Sequence, residues 1–202
     1  TLRLRLVYDS KYPNNCNWFD RKNITSSCVN VHIEMARDKI SEFDNIYFSG
    51  HKGRTGYRFD SFVDEYPCLD SYVNDETLVL PFFGYIDVKG ELPKYKNPEE
   101  TAKMYVDNIV KFFNKNQIQF IEPIPQFIND LGFSPSDGLF PLSDRYPLHT
   151  QYINALRKEI ASHGLKEPIS IEKILGTDLL NEEYECHDCF DCLSPKYSAI
   201  KL

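Results

Sequence analysis

The sequence predicts an α/β domain in three layers, a mainly parallel sheet with helices on both faces. Three observations carry this. Strand-length apolar segments alternate with helix-length segments in the order β-α-β-loop-β-α-β-α-β-α, and such alternation builds parallel sheets through crossover connections. Thr77 to Phe83 (TLVLPFF) is nearly all apolar, as a strand buried on both faces must be. The chain has 202 residues, 42% apolar and 26% charged, an ordinary globular mix long enough to bury one sizeable core. A single domain over 1–202 is expected, closing on a cysteine-rich loop at 186–192.

Leu2 to Tyr8 (LRLRLVY) alternates and then turns apolar, a strand running into a core. Lys11 to Ser27 is polar and rich in Asn, Ser and Pro, a loop longer than most connections. Val29 to Phe43 places Val31, Met35 and Ile40 near helical spacing. Asn45 to Ser49 (NIYFS) is a short strand stopped by Gly50, and His51 to Arg58 (HKGRTGYR) is glycine-rich and basic. After the Thr77 strand, Asn97-Pro98-Glu99-Glu100 has the make-up of a helix start: a cap residue, proline in the first turn, then acids. That helix runs to about Asn116, with Tyr105, Ile109 and Phe112 on one stripe. Ile118 to Glu122 (IQFIE) is the next strand, and Pro123 and Pro125 stop it. Pro147 to His163 reads as a helix ended by Gly164. Ile169 to Ile174 is a weak strand, and Ser194 to Leu202 a last helix.

The net charge is −7 and the pI about 5.3. An acidic chain lacks the clustered Lys and Arg that hold a phosphate backbone, so nucleic acid is excluded as the expected partner. The same deficit argues against an anionic membrane surface. No stretch approaches the ~20 apolar residues of a membrane span. Thr1 to Tyr8 alternates Arg and Leu and lacks the apolar run of a signal peptide. The chain is therefore expected to be soluble, with its compartment left open. Thirteen Tyr and fourteen Phe suit a packed core first and carbohydrate contact second.

In folds of this class ligands sit at the carboxyl ends of the strands. Phe83-Gly84-Tyr85-Ile86-Asp87-Val88-Lys89 (FGYIDVK) stands at such an end. It resembles the Phe-Gly-Glu-Ile-Asp-Cys-Arg block of a branch of the SGNH-fold, GDSL-type hydrolases. Other landmarks fall in the same order. Val7-Tyr8-Asp9-Ser10 closes the first strand, where that family carries Gly-Asp-Ser with its nucleophile. Ser49-Gly50 closes the second, where the family has a glycine, and Ile124-Pro125 comes after the fourth. Leu193-Ser194-Pro195-Lys196-Tyr197 resembles the residues just past the family's final Asp-x-x-His. The resemblance implies an ester hydrolase or acyltransferase acting on a carbohydrate or small ester. Ser10 would be the nucleophile, and the amides at Gly50 and Gly84 would be oxyanion donors. Three blocks depart from the pattern: Tyr8 stands for the first-block glycine, Ile86 for the third-block asparagine, and Cys189 and Cys192 for the last-block Asp and His. A thiol is no substitute for imidazole as a general base near pH 7. The base is therefore sought in His187, with Asp188 beside it. A chain without a working base would be an inactive module of the same fold, used for glycan binding or as a structural part.

Cys186, Cys189 and Cys192 form C-x-x-C-x-x-C. Three readings stay open: a structural Zn²⁺ with Cys16 or Cys28 as fourth ligand, disulfides tying the first long loop to the tail, or free thiols. The expected hydrolysis itself requires no cofactor. Lys52, Arg54 and Arg58, in the glycine-rich segment after the second strand, form a candidate anion cradle. Occupied by an activated sugar or sulfate donor, it would make the protein a transferase. His149 and His163 read as surface or capping histidines, and Asp144 and Arg145 as an ordinary ion pair.

Overall fold

The computed structural model describes residues 3–8, 45–49, 56–58, 75, 77–84, 87–95, 97–128, 140–186 and 189–193; for 3–8, 45–49, 185–186 and 189–193 it gives the backbone path. The expected helices over 29–43 and 194–202 lie outside these residues.

Strand β1 (Arg3–Tyr8) is central, with β2 (Asn45–Ser49) on one side and β3 (Thr77–Phe82) on the other, both parallel to it. Val7 is level with Ser49 in β2 and Pro81 in β3. The segment 118–121 lies beside β3 and residue 169 beside that, through parallel bridges Val79–Ile118 and Ile121–Ile169. Gln119 N–H donates to the Val79 carbonyl at 3.0 Å, and Ile121 N–H to the Pro81 carbonyl at 2.9 Å. These are bridges and not an unbroken ladder for a chemical reason. Pro81 faces this neighbour and has no N–H to return to it.

Beyond β3 come one π-helical turn (Asp87–Glu91), the short helix α1 (Leu92–Tyr95) and helix α2 (Pro98–Phe112). Asn97 caps α2 as its sequence predicts, its side chain accepting Glu100 N–H at 3.2 Å. Strand β4 (Gln126–Phe127) is next, then the long helix α3 (Leu142–Ser162) and helix α4 (Ile171–Leu175). Strand β5 (Leu179–Leu180) pairs with β4 in parallel. Helices α2 and α3 pack on each other and on one face of the sheet. There Val79, Tyr105, Ile109, Phe120, Tyr152, Leu156 and Ile160 form the core. Tyr105 meets Phe83 and Phe120 edge-on, with ring centroids 6.0 and 5.2 Å apart. Leu80, one residue out of phase with Val79, is fully buried too, so both faces of β3 are covered.

Four expectations need correction. The strand expected over Ile118 to Glu122 is reduced to the isolated bridges at Ile118 and Ile121. Helix α3 starts at Leu142 rather than Pro147, because buried Arg145 anchors the turn before the proline and Pro141 supplies the carbonyl that Asp144 and Arg145 N–H bond. Its far end is as expected. Gly164 takes φ +68°, its N–H reaches Ala161, and Leu165 N–H reaches Ile160, the double bond of a Schellman cap. The strand expected over Ile169 to Ile174 is a single bridging residue, because the Ser170 side chain accepts Lys173 N–H and starts α4. The cysteine-rich loop is not a loop throughout. Glu185–Cys186 (β6) and Cys189–Leu193 (β7) form an antiparallel hairpin in which Cys186 and Cys189 are partners.

Candidate functional site

The carboxyl ends of β1, β2 and β3 come out within one residue of level, Tyr8 beside Phe82 and Ser49 beside Val7. The segment 118–121 leaves the sheet at the same edge into Glu122 and the prolines after it. Gly84, two residues past β3, is buried at that edge with φ +106°. A Cβ there would stand 2.7 Å from Pro123 Cγ and 2.9 Å from Tyr152 Cε1 and hydroxyl oxygen. Only glycine satisfies both the dihedral and the space.

Three residues on, Asp87 is fully buried. Its carboxylate accepts the Gly56 N–H at 2.8 Å and the Tyr57 N–H at 3.5 Å. Gly56 lies so close to the Tyr105 ring that a Cβ would sit 2.8 Å from its Cγ. Asn108 of α2 donates to the Tyr57 carbonyl at 2.9 Å. Asp87 thus holds the 3-10 turn Gly56–Arg58, the last residues of the basic segment. Burial raises the Asp87 carboxyl to about 6, with Glu91 adding to the shift and the two amides opposing it.

Helix α3 carries a buried polar row that the expected helix start at Pro147 obscures. Arg145, His149 and Tyr152 stand at i, i+4 and i+7, one face of a helix, and all are buried. Arg145 is not paired with Asp144. Its Nη1 donates to Gln126 Oε1 at 2.8 Å, and its other nitrogens reach the carbonyls of Phe127 and Phe140. His149 is a core histidine and not a surface one. Burial first, then the positive charge of Arg157, lowers it to about 4. Gln126 Nε2, His149 Nε2 and the Tyr152 hydroxyl have no hydrogen-bond partner among the described residues. His163 is the expected capping histidine, ending α3 and bonding Asp107 at 3.0 Å. Beside the row, Arg157 grips buried Glu122 with two bonds of 2.6 and 2.9 Å.

Of the candidate catalytic, oxyanion, anion-binding and metal residues, Gly84 and Arg58 are described with their surroundings. Arg58 is exposed, its guanidinium 5.2 Å from the Tyr57 ring centre. Ser10, Gly50, Lys52, Arg54, His187 and Asp188 lie outside the described residues, as do the side chains of Cys186, Cys189 and Cys192. The strands leading to Ser10, Gly50 and Gly84 are neighbours in one sheet and end on one edge. Among the described residues no cluster of three or more His, Cys, Asp or Glu is placed to hold a metal ion. No helix there is long and apolar enough to cross a membrane.

No family model matches the chain, and no curated protein matches it in sequence. Solved structures do resemble it. The lipase/acylhydrolase from Enterococcus faecalis is similar at a TM-score of 0.58 and 14% identity, covering 98% of this chain and 90% of that one. A variant of an acetyl xylan esterase from Geobacillus stearothermophilus is similar at 0.56 and 15%, covering 98% and 89%. A member of the lipolytic G-D-S-L family from Veillonella parvula is similar at 0.53 and 13%, covering 87% and 81%. With the β2-β1-β3 order, the nearly level strand ends and the packed glycine after β3, these likenesses show that the chain has the fold of the SGNH/GDSL-type hydrolases.

Proposed function

We propose that the protein is an ester hydrolase or acyltransferase acting on an acylated carbohydrate or another small ester. The observation that carries this reading is the alignment of three parallel strands whose ends lead to Asp9-Ser10, Gly50 and Gly84. Ester cleavage needs an activated hydroxyl, a base and oxyanion donors within one small volume. Ser10 Oγ attacks the ester carbonyl while His187, oriented by Asp188, takes the hydroxyl proton. Amides at Ser10, Gly50 and Gly84 receive the oxyanion. The tetrahedral intermediate expels the alcohol, which leaves with the proton from His187. Water, or the hydroxyl of a second sugar, then takes the acyl group from Ser10. The named relatives in fold, a lipase/acylhydrolase and an acetyl xylan esterase, act within this reaction class and support acetylated sugars as the first substrates to try.

A fluorophosphonate probe tests the reading. The expected result is one adduct on Ser10 by intact mass and peptide mapping, lost in Ser10→Ala. A folded sample that takes no adduct overturns it. That outcome favours an inactive glycan-binding or structural module, the reading suggested by Cys189 and Cys192 at the last-block positions. A sulfate or phosphate bound by Lys52, Arg54 and Arg58 would instead favour a transferase with an anionic donor. A thiol-bound Zn²⁺ at Cys186, Cys189 and Cys192, if metal analysis finds it, would be a clamp on the tail and not part of the acyl chemistry.

A further inference from the structure

Asp87 plays no part in the proposed acyl transfer, yet it is a fully buried carboxyl directly beneath a chain turn 31 residues away in sequence. Its immediate partners are backbone amides, at Gly56 and Tyr57. Glu91 acts on it from its own turn. The 56–58 turn presents Tyr57 and Arg58, α2 presents Tyr105, and α3 presents Tyr152. The turn closes over Asp87 with Gly56 against the Tyr105 ring, and no side chain fits between them.

We propose that Asp87 is a proton-controlled latch on the turn Gly56–Arg58: the turn is held shut over the neutral carboxyl and loosens when the carboxyl ionises. The stronger bond, from Gly56 N–H to Oδ2, survives when the proton sits on Oδ1, and only the long 3.5 Å bond from Tyr57 N–H is given up. Protonation removes the cost of keeping a charge dry under the turn. When the turn lifts, water reaches Asp87 and its affinity for a proton falls towards that of an exposed aspartate. By linkage, a group that binds its proton more tightly in the closed form favours closure at low pH and opening at high pH. The carboxyl titrates at about 6 when closed and near its ordinary value when exposed, so closure weakens as pH rises from about 4 to about 6 and levels off above. By chain connectivity this turn fixes one end of the segment bearing Lys52 and Arg54. The inference does not depend on Ser10 being reactive.

Hydrogen exchange read by mass spectrometry on the full chain tests it, using peptides that cover Gly56 and Tyr57 and, as reference, peptides from α2. After correction for intrinsic exchange, protection at Gly56 and Tyr57 is expected to fall about tenfold between about pH 5 and about pH 7, with α2 unchanged. In Asp87→Asn, which mimics the neutral acid, protection stays high at both. Wild-type protection that is flat with pH overturns the latch, and needs no variant to fold. So does an equal fall in Asp87→Asn, which would assign the change to another group. Both readouts are independent of esterase activity.

Discussion

Replacing Gly84 by alanine makes a sharp test of how the sheet edge is built. The added Cβ would meet Pro123 Cγ at 2.7 Å and Tyr152 at 2.9 Å, at a φ of +106°. Holding a residue other than glycine in such a region costs on the order of 1–3 kcal/mol. Overpacking a closed site adds roughly 1–3 kcal/mol more. Neither neighbour can yield cheaply, since Pro123 is a rigid ring and Tyr152 is wedged in the core. The expected loss is therefore about 4 kcal/mol, or roughly 12 °C in Tm for a chain of this length. Urea unfolding with an unchanged m-value is the assay. The variant Tyr152→Phe refines it. Its hydroxyl is buried with no partner among the described residues, so removing it alone is expected to be neutral or to stabilise by about 1 kcal/mol. In the double variant, part of the Gly84→Ala loss should return, because one of the three close atoms is gone. A Gly84→Ala loss below about 1 kcal/mol would refute the reasoning, since strain alone should exceed that.

The same packing sets other expected outcomes. Arg157→Ala strips buried Glu122 of its two-bond partner; because Arg157 itself is more than a third exposed and water can reach the site, the expected cost in thermal unfolding is about 1–2 kcal/mol, whereas Glu122→Gln should cost less because no charge is left buried. Asn97→Ala removes the cap of α2 and should cost about 1 kcal/mol. His149 is neutral in the fold and protonated in the unfolded chain between about pH 6.5 and its folded value of about 4, so it removes about 3 kcal/mol of stability as pH falls through that window. Asp87 acts oppositely, adding stability as pH falls from about 6 towards 4. The wild-type profile is therefore expected to be nearly flat there, and in His149→Gln stability should rise on acidification; a fall would refute the assignment.

Much of the fold is written locally. Asn97-Pro98-Glu99-Glu100 starts a helix by its own chemistry, and the run from Thr77 to Phe82 needs no partner to be recognised as a doubly buried strand. The features that escape a sequence reading depend on distant partners. The bond from Gly56 to Asp87 spans 31 residues, and no periodicity records it. The row of Arg145, His149 and Tyr152 is readable in principle. With Leu156 and Ile160 it continues one buried stripe of α3, and polar residues within an apolar stripe signal buried polar groups. Pro147 hides it by suggesting a later helix start, which leaves Arg145 outside the helix. Ser170 misleads for a similar reason: its apolar neighbours suggest a strand, while its hydroxyl starts a helix.

These packing reasons bear on how activity should be tested. In FGYIDVK the glycine answers to Pro123 and Tyr152, and the aspartate to two amides of a remote turn. Both residues are required by the fold whether or not an ester is ever cleaved. A loss of turnover in Gly84→Ala would therefore be expected even if the Gly84 amide never touched an oxyanion, through unfolding alone. Ser10→Ala removes one oxygen and should abolish the probe adduct in protein that is still folded. Measured at equal folded fraction, a Gly84 variant that keeps the Ser10 adduct but reacts more slowly would mark an amide acting on the oxyanion. An unchanged rate of labelling would assign Gly84 to packing alone and leave the amides at Ser10 and Gly50 as the donors.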